Sequence, residues 1–364
     1  MMTDTTFATY FESTAIFEDR LQQIINQGSL SLMLSIGYRT GLFRVLADLD
    51  AATCEEISDR AGLQTKYVEN WLAVMSTGGI LEYDSIFQTY RLPAEHAALL
   101  LQRGGSHAYA SSVQWVSLSA KLEDEIVNCF REGGPLPSDL FTRLQSQLIE
   151  DNSVSIMNGL FKHVFPLVPR LIMQLCEGRD VLQLGCGSGS TLIELARTFP
   201  ASQFVGYDSS ATLIDNARET ARQKQINNVT FIRRELTEIH AIESFDLVLA
   251  LDILQDQAQP HRVLEQVLTA LRPEGTFLMQ DLARSRNREL NLQHPLAALL
   301  YSLSCVRNMA IENQAQTSNG SRWCQEKALQ ALQDLGFESI DVQTLPHDLI
   351  SDYYVASKPR LAAS

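Results

Sequence analysis

The six cysteines (Cys54, Cys129, Cys176, Cys186, Cys305 and Cys324) form no CxxC pair and no Cys/His cluster at metal-ligand spacing. That excludes the common zinc motifs and points to free thiols in a reducing compartment, with no metal expected. Basic residues are scarce: 29 Lys and Arg stand against 43 Asp and Glu, a formal net charge of −14. Non-specific nucleic-acid binding relies on clustered cations that displace counterions, so neither nucleic acid nor an anionic membrane surface fits as a partner. Long apolar runs are missing too. The greasiest stretch, Leu30 to Tyr38, falls well short of the ~18 residues a membrane helix needs. Met1 to Asp19 mixes acids with aromatics and lacks the basic-then-apolar order of a signal peptide. These absences predict a cytoplasmic protein. What is present is ample apolar content, 45% of 364 residues, enough for roughly two domains.

The periodicity from Arg20 to Leu49 is helical, with apolar residues on more than one face around Leu30 to Ile36. Such a helix must be buried, inside a domain or against another chain. Thr53 and Glu56 are spaced as a capping box that opens a short helix closed by Gly62. A second helix, Thr65 to Thr77, follows, and then two short strands, Ile80 to Tyr83 and Thr89 to Leu92. Two helices and a hairpin in that order predict a winged helix. The second helix carries one Lys, one Glu and no Arg. It lacks the side chains that read bases or phosphates, so a structural or dimerising role is expected. From about Gly104 to Glu177 the pattern is mainly helical.

The chemistry lies further on. Val181 to Leu184 is a short apolar strand that runs into Gly185, Gly187 and Gly189, then into a helix with Leu192, Leu195, Ala196 and Phe199 inward. Strand, glycine turn and helix open a nucleotide-binding βαβ unit. A second strand ends at Asp208, 23 positions after Gly185, where a carboxylate can accept both ribose hydroxyls. The alternation continues through Val229 to Arg233, Phe245 to Leu251 and Thr276 to Met279, and predicts a parallel sheet covered on both faces. Its carboxyl edge carries Gly185, Asp208, Glu235, Asp252 and Asp281. The dinucleotide fingerprint would need glycine where Ser190 stands, and no Lys-Ser/Thr follows the loop as ATP binding would require. A final helix, Lys327 to Leu335, precedes strands Ser339 to Thr344 and Tyr353 to Ser357.

GxGxG with an acid after the second strand resembles the class I S-adenosylmethionine (SAM) methyltransferases, whose seventh strand is reversed as the final hairpin here implies. The expected fold class is α/β, a Rossmann-like seven-stranded SAM methyltransferase domain with an N-terminal α-helical winged-helix domain. The segments Gly41 to Leu46, Thr53 to Ile57, Tyr90 to Leu100, Leu278 to Asp281, and His294-Pro-Leu with Tyr301 narrow the likeness. They are similar to a bacterial subgroup of winged-helix methyltransferases with the plant O-methyltransferase architecture. Expected boundaries are 1–105 for the winged-helix dimerisation domain, 106–178 for a helical linker contributing to the substrate pocket, and 179–364 for the methyltransferase domain.

The resemblance implies SAM as cofactor, a small-molecule acceptor and a homodimer formed through the N-terminal domain. It places Gly185, Gly187 and Gly189 at the methionine part of SAM, Asp208 at the ribose, Glu235 and Leu236 at the adenine and Asp252 at the mouth of methyl transfer, with Gln183, Cys186 and Ser209 also in the cofactor site. Two positions depart from the pattern. Gln183 stands where Asp or Glu is usual, and Gln255 where relatives carry a His that can act as a base. The catalytic cluster is then read as His294, Asp256 and Gln255, with Asp281 and His163 as other candidate bases. Tyr301, Met309 and Trp323 are candidate walls of the acceptor pocket, and Gln314 to Arg322 reads as a polar loop. The expected reaction is in-line methyl displacement onto a small acceptor, O-methylation ahead of N- or S-methylation. The alternatives are non-methyl chemistry on bound SAM, or a winged-helix regulator with SAM as effector.

Overall fold

Hydrophobic alternation and capping signals give the chain two units, divided between Leu101 and Gln102 in a computed structural model. It describes residues 14–101, 108–151, 153–311, 323–345 and 347–360. In the first unit the long helix Thr14–Thr40 is followed by Leu42–Ala47, Cys54–Ala61 and Thr65–Thr77. The Thr53 side chain accepts the Glu56 N–H while the Glu56 carboxylate accepts the Thr53 N–H at 2.8 Å, and Gly62 ends that helix in a left-handed conformation. The hairpin β1 (Glu82–Asp84) and β2 (Thr89–Arg91) and the helix Ala94–Leu100 complete the winged helix. Its core centres on Phe43, Leu46, Ile57, Leu72 and Met75. Trp71 locks the long helix to this core by donating its indole N–H to the Met33 carbonyl at 2.8 Å.

The predicted burial of that helix is only partial within the chain. Leu30 and Met33 pack on the core, but Leu32 and Ile36 are exposed, as are Phe17, Leu21, Ile24 and Ile25 before them. One helix cannot turn an all-round apolar surface toward a single small core.

The second unit is built on a seven-stranded sheet. Its strands are β3 (Asp180–Leu184), β4 (Gln203–Asp208), β5 (Val229–Arg233), β6 (Phe245–Leu251), β7 (Leu271–Leu282), β8 (Glu338–Thr344) and β9 (Ser351–Ser357), in the order β5-β4-β3-β6-β7-β9-β8. The first five are parallel; β9 runs antiparallel to both β7 and β8. Alternate residues point to opposite faces, so Val181, Leu247 and Leu249 enter one core and Leu182, Val248 and Ala250 the other. Burial on both faces is the reason β6 reads as an unbroken apolar run. The strand β7 is longer than the predicted Thr276 to Met279. Leu271 already pairs with Phe245, and Arg272 to Gly275 bulge out before Thr276 pairs with Leu247, with Glu274 at φ 63°.

Helices Ser190–Thr198, Ala211–Gln223, Pro260–Ala270 and Gln325–Asp334 cover the sheet. Ahead of it come Ala108–Ala120, Glu123–Glu132, Ser138–Asp151 and Ser153–Gly159, then a π-helical turn, Leu160–Val164. Two further helices, Arg288–Leu292 and Ala297–Ile311, lie between β7 and β8 in sequence. No described helix is long and apolar enough to cross a membrane. The predicted polar loop Gln314 to Arg322 lies outside the described residues.

Candidate active site

The glycine turn at the end of β3 is shaped by its contacts. Gly189 has φ 78°, and a Cβ there would stand 2.5 Å from the Phe231 ring. Gly187 has φ 55° and open space where its Cβ would be. Asp208, ending β4, holds the turn: its carboxylate accepts the Gly187 N–H at 3.0 Å and the Ser210 N–H at 2.9 Å. Cys186 is buried, its backbone N–H donates to the Tyr207 carbonyl, and burial pushes its thiol well up, so it is an inert spacer.

A cavity of about 230 Å³ opens over this turn. Gln183, Gly185, Cys186, Gly187 and Asp252 line it, and the Gln183 side-chain oxygen is buried with no hydrogen-bond partner. From there the cavity runs to an apolar and aromatic end with Ile156, Leu160, Trp115, His347 and Tyr353. That end includes residues of the helical segment preceding the sheet.

Beside Asp252 lies a buried charge cluster. Asp252 has φ 58°, accepts from the Gln255 amide and accepts from Arg307, whose other nitrogen reaches Asp256 at 3.1 Å. Arg307 is buried, with its guanidinium 5.1 Å over the Trp115 ring. Burial pushes the Asp256 carboxyl up to about 6, against the pull of Arg307. Burial alone would lower Arg307, but Asp252 and Asp256 beside it hold it above its ordinary value. Asp281 is buried, raised well above the carboxylate range by desolvation, and accepts the Trp323 indole N–H at 2.6 Å.

At the far end, the β8–β9 connection supplies Asp348. Its carboxylate accepts the Tyr353 hydroxyl at 2.8 Å, the Gln280 amide at 3.4 Å and the Ile350 N–H at 3.1 Å. Burial raises its pKa. The preceding His347 stacks on His163, with ring centroids 4.1 Å apart, and its centroid lies 6.0 Å from that of the Tyr353 ring.

The remaining sequence candidates sit elsewhere. Ser209 receives Arg233 on its carbonyl, Glu235 caps a short 3-10 turn, and Leu236 is buried in the core. His294 is not on the cavity wall; its Nδ1 accepts the Leu296 N–H at 3.1 Å, which fixes a local turn. Tyr301 accepts from Asn291 at 3.1 Å, and Met309 packs in the cluster around Trp115 and Leu136. Gln255 and Trp323 share a smaller recess with Arg284 and Asn308. Asp256 lies behind Arg307 and does not line the cavity. Arg307, His347, Asp348 and Tyr353 also line the cavity, and none of them belongs to a motif in the sequence. A lone arginine in the apolar helix Ala297–Ile311 was the legible signal for the first of them. Among the described residues no cluster of His, Cys, Asp and Glu is arranged to hold a metal.

Residues 28–102 match the family described as the Rv2258c-like winged HTH domain, and residues 176–347 the family described as a methyltransferase domain. Among curated proteins, the chain is similar to (S)-coclaurine N-methyltransferase of Papaver somniferum, 24% identical over 30% of this chain and 31% of that one. It is also similar to carboxy-S-adenosyl-L-methionine synthase of Desulfotalea psychrophila, 25% identical over 47% and 71%. The chain spans about a third of the length of the first curated relatives it matches. Among solved structures, human N-acetylserotonin methyltransferase in complex with SAM superposes with a TM-score of 0.61 at 17% identity, over 96% of this chain and 99% of that one. Residues 28–102 are thus similar to Rv2258c-like winged helix-turn-helix domains and residues 176–347 to methyltransferase domains, and the second unit has the fold of solved methyltransferases.

Proposed function

We propose that the protein transfers the methyl group of SAM to a small organic acceptor, with oxygen as the methylated atom. The observation that carries this reading is one continuous cavity joining the glycine turn to an apolar, aromatic end. The residues fit the cofactor. Gly187 leaves its side of the turn open, and the buried Gln183 oxygen is an acceptor in want of a donor such as an ammonium. Asp208 and Ser209 are assigned to the ribose, Glu235 and Leu236 to the adenine. Bound SAM supplies a methyl carbon already activated on a sulfonium, so the protein's main task is alignment. Asp252, fixed by Arg307 and Gln255, walls the place of transfer with a carboxylate of fixed orientation. The apolar walls beyond it exclude water and hold the acceptor.

The test is calorimetry with SAM and S-adenosylhomocysteine, with NAD as control, followed by S-adenosylhomocysteine release in the presence of phenols, amines and thiols. Binding of the SAM pair alone, with stoichiometric release, supports the proposal. NAD binding, or no binding of the pair, sinks it. A second reading, non-methyl chemistry on SAM, draws on the likeness to carboxy-S-adenosyl-L-methionine synthase. Acceptor turnover without S-adenosylhomocysteine would favour it.

We place the protein in the cytoplasm as a homodimer joined through its N-terminal domain. Six cysteines without a disulfide support the first assignment, and the exposed Phe17, Leu21, Ile24 and Ile25 the second. The helix Thr65–Thr77 spends Val68, Trp71, Leu72 and Met75 on the core and offers Lys66 as its one cation, which speaks against a DNA-reading role.

A further inference from the structure

Resting on the methyltransferase reading, we propose that the acceptor carries an ammonium group and that Asp348 holds it at the far end of the cavity. Charge around the cavity does not balance without such a group. Among the described residues Arg307 is the one Lys or Arg on the wall, and its guanidinium is shared by Asp252 and Asp256. Asp348 stands on the same wall with no ion pair to it among the described residues. Asp281, raised well above the carboxylate range by burial, adds no charge. Counted with the histidines neutral, Asp252, Asp256 and Asp348 face Arg307 and the sulfonium that bound SAM supplies. One positive charge is still wanting, and the acceptor is the remaining occupant.

The donors that hold Asp348 are neutral. Its Oδ2 accepts the Tyr353 hydroxyl at 2.8 Å and the Gln280 amide at 3.4 Å, and its Oδ1 accepts the Ile350 N–H at 3.1 Å. Such donors favour the ionised form and fix its direction, but they bring no countercharge. Burial raises the Asp348 pKa, as it does for an anion that lacks a cation. Gln280 also joins this carboxylate to the place of transfer, because its carbonyl accepts the Asp252 N–H at 2.9 Å. That the cavity is built for a ligand rests on a separate observation, the buried Gln183 oxygen on its wall with no hydrogen-bond partner.

The chemistry of the occupant follows. A carboxylate in a site of reduced dielectric stabilises a protonated amine more than the free base. An ammonium has no lone pair, so its nitrogen is kept out of the reaction and a hydroxyl on the same molecule is left as the methylated atom. An anionic acceptor meets like charge at Asp252 and Asp348, and Arg307 is already engaged by two carboxylates. The class is therefore an amino phenol or amino alcohol.

Three phenols of similar size test this on the full chain in complex with S-adenosylhomocysteine. They are tyramine, which carries an ammonium, its neutral counterpart para-propylphenol, and the anion para-hydroxyphenylpropionate. By calorimetry tyramine should bind at least about tenfold more tightly than para-propylphenol, and the anion more weakly than either. This ranking is read on the wild type and needs no variant. Asp348→Asn keeps a side-chain acceptor but loses the charge, so the preference for tyramine should shrink to less than about threefold. Binding of S-adenosylhomocysteine to the variant shows that it folds. In methyl transfer to tyramine the variant should raise KM more than it lowers kcat, and the wild-type product should carry its methyl on oxygen. Equal or reversed ranking, no binding of tyramine, a preference that survives Asp348→Asn, or methylation on nitrogen would overturn the proposal and leave the methyltransferase reading intact. Absence of S-adenosylhomocysteine and SAM binding in the wild type overturns both.

Discussion

The buried Arg307 pairs with the half-buried Asp252 at the carboxyl end of β6, so the helix Ala297–Ile311 is fastened to the strand that walls the site. Asp256 shares the same guanidinium. The cluster packs two carboxylates around one cation, and its balance depends on pH.

Arg307→Met should unfold more readily, by about 3 kcal/mol, because it leaves Asp256 without its cation, while Asp252, partly open to the cavity, is screened and adds less. The folded state raises Asp256 to about 6, so it binds protons more tightly than the unfolded chain does. That group's contribution to stability is therefore favourable in acid and lost as pH rises through the folded value. The variant's deficit should be larger at about pH 8 than at about pH 5, where protonation relieves the stranded charge. Urea unfolding at both pH values measures it; an equal deficit would contradict the account.

Asp208→Ala should weaken SAM binding by at least about tenfold, since the carboxylate both orders the Gly187 turn and is assigned to the ribose. Calorimetry reads this directly. Unchanged affinity would remove Asp208 from the cofactor site.

Gln183→Glu places a charge where the neutral oxygen is already buried and unpartnered. The unliganded variant should melt at a lower temperature, yet gain a larger upward shift from SAM, because the cofactor's cation then meets an anion. A smaller shift than wild type would mean that the amide is used differently.

Gly189→Ala combines a left-handed backbone with a Cβ 2.5 Å from Phe231. A loss of at least about 2 kcal/mol is expected by chemical denaturation.

Leu21→Glu with Ile25→Glu should convert the proposed dimer to a monomer in light scattering, with the winged-helix core intact. Both residues are exposed on the helix Thr14–Thr40 and absent from that core. A dimer that survives both charges has its interface elsewhere.

The sheet, the glycine turn and Asp208 were legible because their determinants are local. Alternating apolar residues, a glycine where φ is positive, and an acid at a strand end are all coded within short spans. The capping box of Thr53 and Glu56 is the same kind of signal. For His294 and Tyr301 the signal is the family-like segment His294-Pro-Leu with Tyr301, and for Met309 and Trp323 it is apolar bulk alone. Which wall each side chain faces is not a local property: His294 turns into its own loop, and Trp323 reaches back to Asp281, 42 residues away.

By itself, then, the sequence determined a winged helix followed by a parallel sheet with a nucleotide-binding turn. Periodicity and glycine placement act over one or two turns of chain. Only the tertiary structure decided the far end of the cavity, where Arg307 meets carboxylates 55 and 51 residues distant and His163, His347 and Tyr353 stack from two separate segments. Such contacts are set by how helices close over a sheet edge, and burial then settles which charges and rings must share the space.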